Sequence, residues 1–188
     1  MSKKMVALIG EQPVPNLLPI RHDQPSDVLL VWTTRTKQVA ERLANLLKRD
    51  AAVFECEVDP YDITAIYQEL HQKITTLGWP PAELVFNLTG GTKTMAFAAY
   101  QLALDKVGCQ FLYLESEGGK SRLRQYGFEN SLATLERDEI IPAAIKLADY
   151  LGAYLDAYTC HRDAAKIKEP FEQILFAART PDRLIRLS

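Results

Sequence analysis

Apolar residues along the chain fall into two kinds of run that take turns. Short unbroken runs, MVALIG (5–10) and VLLVWTT (28–34), lack polar alternation, as strands covered on both faces do, and belong in the middle of a sheet. AVFECEV (52–58), ELVFNL (83–88) and QFLYLES (110–116) read as three further strands. Between them lie segments of helical period. RTKQVAERLANLLKR (35–49) places Val39, Leu43, Leu46 and Leu47 on one face and its charges on the other. DITAIYQELHQKITTL (62–77) predicts a helix capped by Asp62 and ended at Gly78, and residues 92–107 predict another, stopped by Gly108.

The pattern changes after residue 116. EGGK (117–120) is turn chemistry and SRLRQYGF (121–128) alternates, which predicts an antiparallel hairpin between the fifth and sixth strands at the sheet edge. From Asp138 to about Tyr158 the period is helical, and HRDAAKIKEPFEQILFAA (161–178) continues it with a break near Pro170. Strands that alternate with helices need right-handed crossovers, so the fold class is α/β. The expectation is a Rossmann-like, mostly parallel sheet with helices on both faces, an edge β-hairpin and a C-terminal helical tail. The division expected is a sensor-sized domain over 1–137 and a helical extension or linker over 138–188. In the tail, Ile141, Ile145, Leu147, Leu151 and Leu155 offer contacts either to a second copy or to their own domain.

Composition narrows the function. With 188 residues, 47% apolar, 24% charged and a net charge of −2, the chain has enough apolar content for a core and no basic field that would recruit nucleic acid, so no DNA partner is expected. The apolar run after the opening MSKK is too short for a signal peptide or a membrane span, which gives the expectation of a cytoplasmic protein with no membrane partner. Cys56, Cys109 and Cys160 form no CxxC pair, so reduced thiols are expected and neither a metal nor a cofactor. His22, His71 and His161 fall in separate segments and build no nucleophilic triad. Lys120, Arg122 and Arg124 form a local basic cluster, read as charge that protects an edge strand, with RNA contact as the alternative.

The most unusual stretch is NLTGGTKTMA (87–96), two glycines, three threonines and a lysine where a strand hands over to a helix. Gly90 and Gly91 permit positive φ and close approach of a ligand, and the free N–H groups of a helix start suit a phosphate. Thr89, Thr92 and Thr94 add hydroxyls, and Lys93 adds a charge. The spacing is not G-x-x-x-x-G-K-[ST], and no G-x-G-x-x-G follows the first strand, which disfavours Mg-ATP hydrolysis and NAD binding of the usual kind. A tight turn and a helix cap is the alternative use of the same residues.

GEQPVPNLLPI (10–20) after the first strand, together with NLTGGTKTMAFAAYQLA (87–103) after the fourth, resembles the CARF domains, CRISPR-associated Rossmann-fold sensors, at the N-termini of Card1/Can2-type effector nucleases. The resemblance covers roughly residues 5–150. It implies a homodimer that binds a cyclic oligoadenylate, usually the tetramer, across a two-fold axis in type III CRISPR antiviral signalling, and so controls an effector domain or partner. The implied ligand-binding residues are Gly10, Glu11 and Gln12 in the first loop and Thr89, Gly90, Gly91, Thr92, Lys93, Thr94 and Met95 in the second. Thr33 and Thr34 lie at the same sheet edge, either against an adenine or ribose or as caps of the next helix. Family members of this type carry a nuclease domain after the sensor, whereas this sequence ends at Ser188, so a sensor fragment of a larger effector is one expectation. Glu115, Glu117 and Lys120 are only loosely like a nuclease metal site. Two functions are compatible with the residues: a sensor, and a metal-independent ring nuclease that cleaves its own ligand, for which no catalytic base stands out. Lys93→Ala and Gly91→Val are both expected to fold and to weaken binding.

Overall fold

The computed structural model describes residues 3–117, 120–142 and 145–155. Strands β1 (Lys4–Leu8), β2 (Asp27–Trp32), β3 (Ala52–Glu57), β4 (Leu84–Asn87), β5 (Gln110–Glu117), β6 (Lys120–Glu129) and β7 (Leu132–Ile141) form one sheet in the order β3-β2-β1-β4-β5-β6-β7. The first five run parallel, and β6 and β7 are antiparallel additions at one edge. The chain builds outward from β1 to β3 and then returns to place β4 on the other side of β1. That reversal creates a crevice at the carboxyl ends of β1 and β4.

Helices α1 (Val14–Asp23), α2 (Lys37–Leu47), α3 (Ile63–Thr76), α4 (Lys93–Asp105) and α5 (Leu147–Tyr154) cover the sheet. Residues of β1 alternate between its two faces: Val6 and Leu8 join the core under α3 and α4, and Met5 and Ala7, with Ile9 just after the strand, the core under α1, α2 and α5. This two-sided burial is why β1 and β2 carry unbroken apolar runs. Ala98, Ala99 and Ala103 are fully buried on α4, and their small side chains let it lie close to the sheet. The parallel sheet, α3 with its Asp62 cap on the Ala65 N–H (3.0 Å), α4 and the β5–β6 hairpin match the sequence expectation. The α2 segment starts with a 3-10 turn at Thr34–Thr36 before the α-helix proper.

Two elements depart from that expectation. The segment after β1 is a helix, α1, although it holds Pro15 and Pro19. Pro15 sits in the first turn, where its missing N–H is harmless. Pro19 cannot donate to the Pro15 carbonyl, which accepts instead from Asn87 Nδ2 at 3.4 Å. The second departure is β7: the helix expected from Asp138 is wrong there, because residues 138–141 continue a strand paired with β6, from Arg124↔Asp138 to Ser121↔Ile141. Asn130 (φ 49°) and Ser131 (φ 64°) form the tight turn that joins the two strands, and a two-residue turn with positive φ at both positions matches strand twist. The boundary expected after residue 137 thus falls inside a strand, and the helix begins only at Leu147. The expected tail beyond residue 155, with Cys160 and His161, lies outside the described residues.

Of the tail's apolar residues, Ile141 is buried against Leu18, Leu114 and Leu123, and Ile145 packs on the same cluster, so both serve their own domain. Among the described residues no helix is long and apolar enough to cross a membrane.

Candidate ligand site at the switch point

The loops after β1 and β4 meet backbone to backbone. A Cβ on Gly10 would stand 3.2 Å from the Gly91 N, and one on Gly90 would stand 2.2 Å from the Leu8 carbonyl oxygen and 2.8 Å from Asn16 Nδ2. No side chain fits at residue 90 without moving β1. Gly91 has φ +73°, and its Cβ would lie 2.9 Å from the Leu8 Cβ. The two glycines are therefore required by the neighbouring strand before any ligand is considered. Gly91→Val, expected from sequence to fold, is strained by both its backbone conformation and this contact, and reports on the loop's fold rather than on a ligand.

Two fully buried asparagines hold the crevice together. Asn16 Nδ2 donates to the Leu8 carbonyl (2.9 Å), and Asn87 Nδ2 donates to Asn16 Oδ1 (3.1 Å). Asn87 Oδ1 accepts from the Thr89 N–H (3.0 Å) and so shapes the start of the second loop. Sequence reasoning missed this pair. Its signal was a lone amide at the end of the apolar strand ELVFNL, where a buried polar group demands a partner.

The threonines of the second loop are occupied within the chain. Thr89 Oγ1 accepts from the Leu114 N–H on β5 (2.8 Å). Thr92 caps α4 by accepting from the Met95 N–H (3.2 Å), and the Thr92 N–H points at Met95 Sδ (3.4 Å). The Thr92 hydroxyl donates to the Pro60 carbonyl (2.9 Å), which the Thr94 hydroxyl also reaches. Met95 is buried in the core. Lys93 differs: it is exposed, and its ammonium has no partner among the described residues. It opens a helix whose first-turn N–H groups lack intrahelical acceptors.

In the first loop Glu11 and Gln12 are exposed. Glu11 pairs with Arg35, and Gln12 Oε1 accepts from the Tyr154 hydroxyl at 2.9 Å. Thr33 is buried and exchanges hydrogen bonds with Thr36, including Thr33 N–H to Thr36 Oγ1 at 3.0 Å, which is the cap geometry. Thr34 is exposed and donates to Glu57 Oε1 (3.0 Å). The structure thus brings Gly10–Gln12 and residues 89–95 together at β1 and β4, with Thr33 and Thr34 one strand away at the end of β2. Arg35 and Tyr154, unnoticed in the sequence, belong to the same edge.

Charge is uneven along that edge. Beyond β3 stand Glu57, Asp59, Asp62 and Glu69; burial foremost, with the charges of Asp59, Asp62 and Glu57, pushes the Glu69 carboxyl above its ordinary value.

Over residues 5–150 the chain matches the family model for the Card1 CARF domain. It belongs to that family. The matched span of this CARF domain holds every residue of the two loops. Its fold is shared with Can2 from Sulfobacillus thermosulfidooxidans in complex with cyclic tetra-adenylate, at TM-score 0.63 and 20% identity over 98% of this chain and 49% of that one. Protein VC1899 from Vibrio cholerae gives TM-score 0.62 and 18% identity, over 80% of this chain and 39% of that one. A type III CRISPR defence DNA nuclease activated by cyclic oligoadenylate gives TM-score 0.58 and 22% identity, over 93% and 28%. The chain therefore spans half or less of the length of each. No curated protein matches it by sequence.

Other candidate chemistry in this CARF domain is engaged elsewhere. Arg122 forms a bidentate pair with Asp138 (2.6 and 2.7 Å) and Arg124 pairs with Glu115 (2.9 Å), which neutralises most of the hairpin's basic cluster. His22 meets Glu139 (3.0 Å), and His71 stacks on Tyr67. Burial pushes the thiols of Cys56 and Cys109 up to about 11, so both are poor nucleophiles. Among the described residues no three His, Cys, Asp or Glu side chains converge as a metal cage requires.

Proposed function

We propose that this CARF domain binds a cyclic oligoadenylate, cyclic tetra-adenylate in particular, as a homodimeric sensor in type III CRISPR antiviral signalling, and thereby controls an effector domain or partner. The observation that carries the reading is Lys93: an exposed cation without a partner among the described residues, at a helix start, beside loops that Gly10, Gly90 and Gly91 let pack backbone to backbone. A phosphodiester offers that site the charge it lacks. The family membership, and the fold shared with Can2 in complex with cyclic tetra-adenylate, support this ligand class. A symmetric ring of four nucleotides is too large for one strand-end crevice, which supports two copies sharing it across a two-fold axis.

Cleavage of the ring would need a 2′-hydroxyl held in line with its phosphate and a base to take its proton. Glu11 is the carboxylate of the two loops, and Arg35 engages it. The sensor reading is therefore favoured over the ring nuclease. The test is incubation of the purified protein with labelled cyclic tetra-adenylate in metal-free buffer, followed by separation of ring from linear products. Bound, intact ring after an hour is the expected result; linear products within minutes would establish the ring nuclease, and no bound ring would refute both readings.

A further inference from the structure

The C-terminal helix of the described residues reaches the ligand loop. Tyr154, in the last turn of α5, donates to Gln12 Oε1 at 2.9 Å across 142 residues of sequence. The helix behind it is packed against α1 and α2. Asp149 pairs with Arg21 Nε of α1 (3.0 Å), Ala153 is buried, and Gly152 sits so close to α2 that a Cβ there would lie 2.7 Å from Leu46 Cδ2. The Tyr150 and Tyr154 rings lie 4.8 Å apart, which fixes the direction of the phenol. Burial, with Tyr150 beside it, raises the Tyr154 phenol above its ordinary value, so the hydroxyl remains a neutral donor.

That bond fixes more than a position. A glutamine amide carries one acceptor and one donor end, and whichever end is taken by a fixed partner leaves the other to face outward. With Oε1 occupied by the Tyr154 hydroxyl, the Nε2 donors of Gln12 are left for a second partner, and they suit an acceptor such as a non-bridging phosphate oxygen or a purine ring nitrogen. Gln12 is otherwise an exposed, rotamer-rich side chain, and ordering it in advance removes part of the entropy cost of binding. We infer that Tyr154 is a positioning residue of the ligand site, one that orients the Gln12 amide as a hydrogen-bond donor toward the bound ring and ties α5 to occupancy of the first loop. This rests on the sensor reading above, since it presumes that the ring reaches Gln12.

The test is calorimetric titration of cyclic tetra-adenylate into the parent chain and into Tyr154→Phe, Gln12→Ala, the double variant and Gln12→Glu, each checked by thermal melt. Tyr154→Phe should weaken binding roughly three- to tenfold, the worth of one neutral hydrogen bond. In the Gln12→Ala background the same change should cost nothing further, a result that a purely structural role for Tyr154 would not give. Gln12→Glu keeps the acceptor for Tyr154 but replaces the donors by a carboxylate, and should melt as the parent while binding more weakly than Gln12→Ala. The inference is overturned if Tyr154→Phe binds as the parent does, if it loses the same factor with and without Gln12, or if Gln12→Glu binds as tightly as the parent. In each of those cases the sensor reading stands, because the parent binds; a parent that takes no ring removes both.

Discussion

A single Cβ separates the two loops from collision at residue 90. Gly90→Ala would press a methyl carbon to 2.2 Å from the Leu8 carbonyl oxygen, a backbone atom that cannot swing aside. The expected outcome in urea denaturation is a loss of at least about 1–3 kcal/mol, with β1 forced to shift. Asn87→Ala should cost a similar amount, because Asn16 Oδ1 and the Thr89 N–H lose a buried partner together. Lys93→Ala belongs to the other class. Its side chain is exposed and has no partner among the described residues at a helix N-terminus, so the melt should be unchanged, while affinity for cyclic tetra-adenylate falls roughly ten- to hundredfold with the lost charge-assisted contact. At this scale the sequence showed which loop was unusual but not how its hydroxyls are spent. Thr92 and Thr89 find Pro60 and Leu114 at 32 and 25 residues' separation, and no local pattern carries such partners.

At the scale of elements, α1 and β7 are the two that the pattern concealed, and they are fastened to each other. Arg137 on β7 clasps both oxygens of Asp23 at the end of α1 (2.6 and 3.2 Å), Lys3 adds a third contact (3.3 Å), and His22 meets Glu139. Burial alone would push the Asp23 carboxyl up, but the bonds and charges of Arg137 and Lys3 outweigh it and hold the group below its ordinary value of 3.8. A folded value below the unfolded one means that the contribution to stability is complete above 3.8 and is lost as pH falls through the lower, folded value. Stability in urea, followed from pH 5 downward, should therefore decline as pH falls below 3.8, and the decline should be shallower in Asp23→Asn. The prolines of α1 hid a helix because its broken internal bond is repaired by Asn87, a residue 72 positions away. The β7 segment hid because LERDEII satisfies a helical period as well as it does a two-sided edge strand, and the Asn130–Ser131 turn was the stronger evidence. The central parallel strands were legible because both of their faces are buried.

For the molecule as a whole, the crevice at β1 and β4 places one copy of the two loops at a sheet edge, and under the proposed function a ring with two-fold symmetry calls for a second copy. Light scattering should give a mass near twice 21.2 kDa, with ring or without it; a monomer under both conditions would rule out the shared pocket. The Rossmann-like core and the two unusual loops could be read from the chain, since strand period and turn chemistry are local. Whether two copies meet, and by which surface, could not, because an interface leaves no period in one sequence. The most direct measurement is calorimetry of cyclic tetra-adenylate titrated into the parent chain and Lys93→Ala. Saturable heat at one ring per two chains, with Lys93→Ala weakened and equally well folded, is the expected result. No saturable heat, or a Lys93→Ala variant that binds as tightly as the parent, would contradict a ring held by these loops.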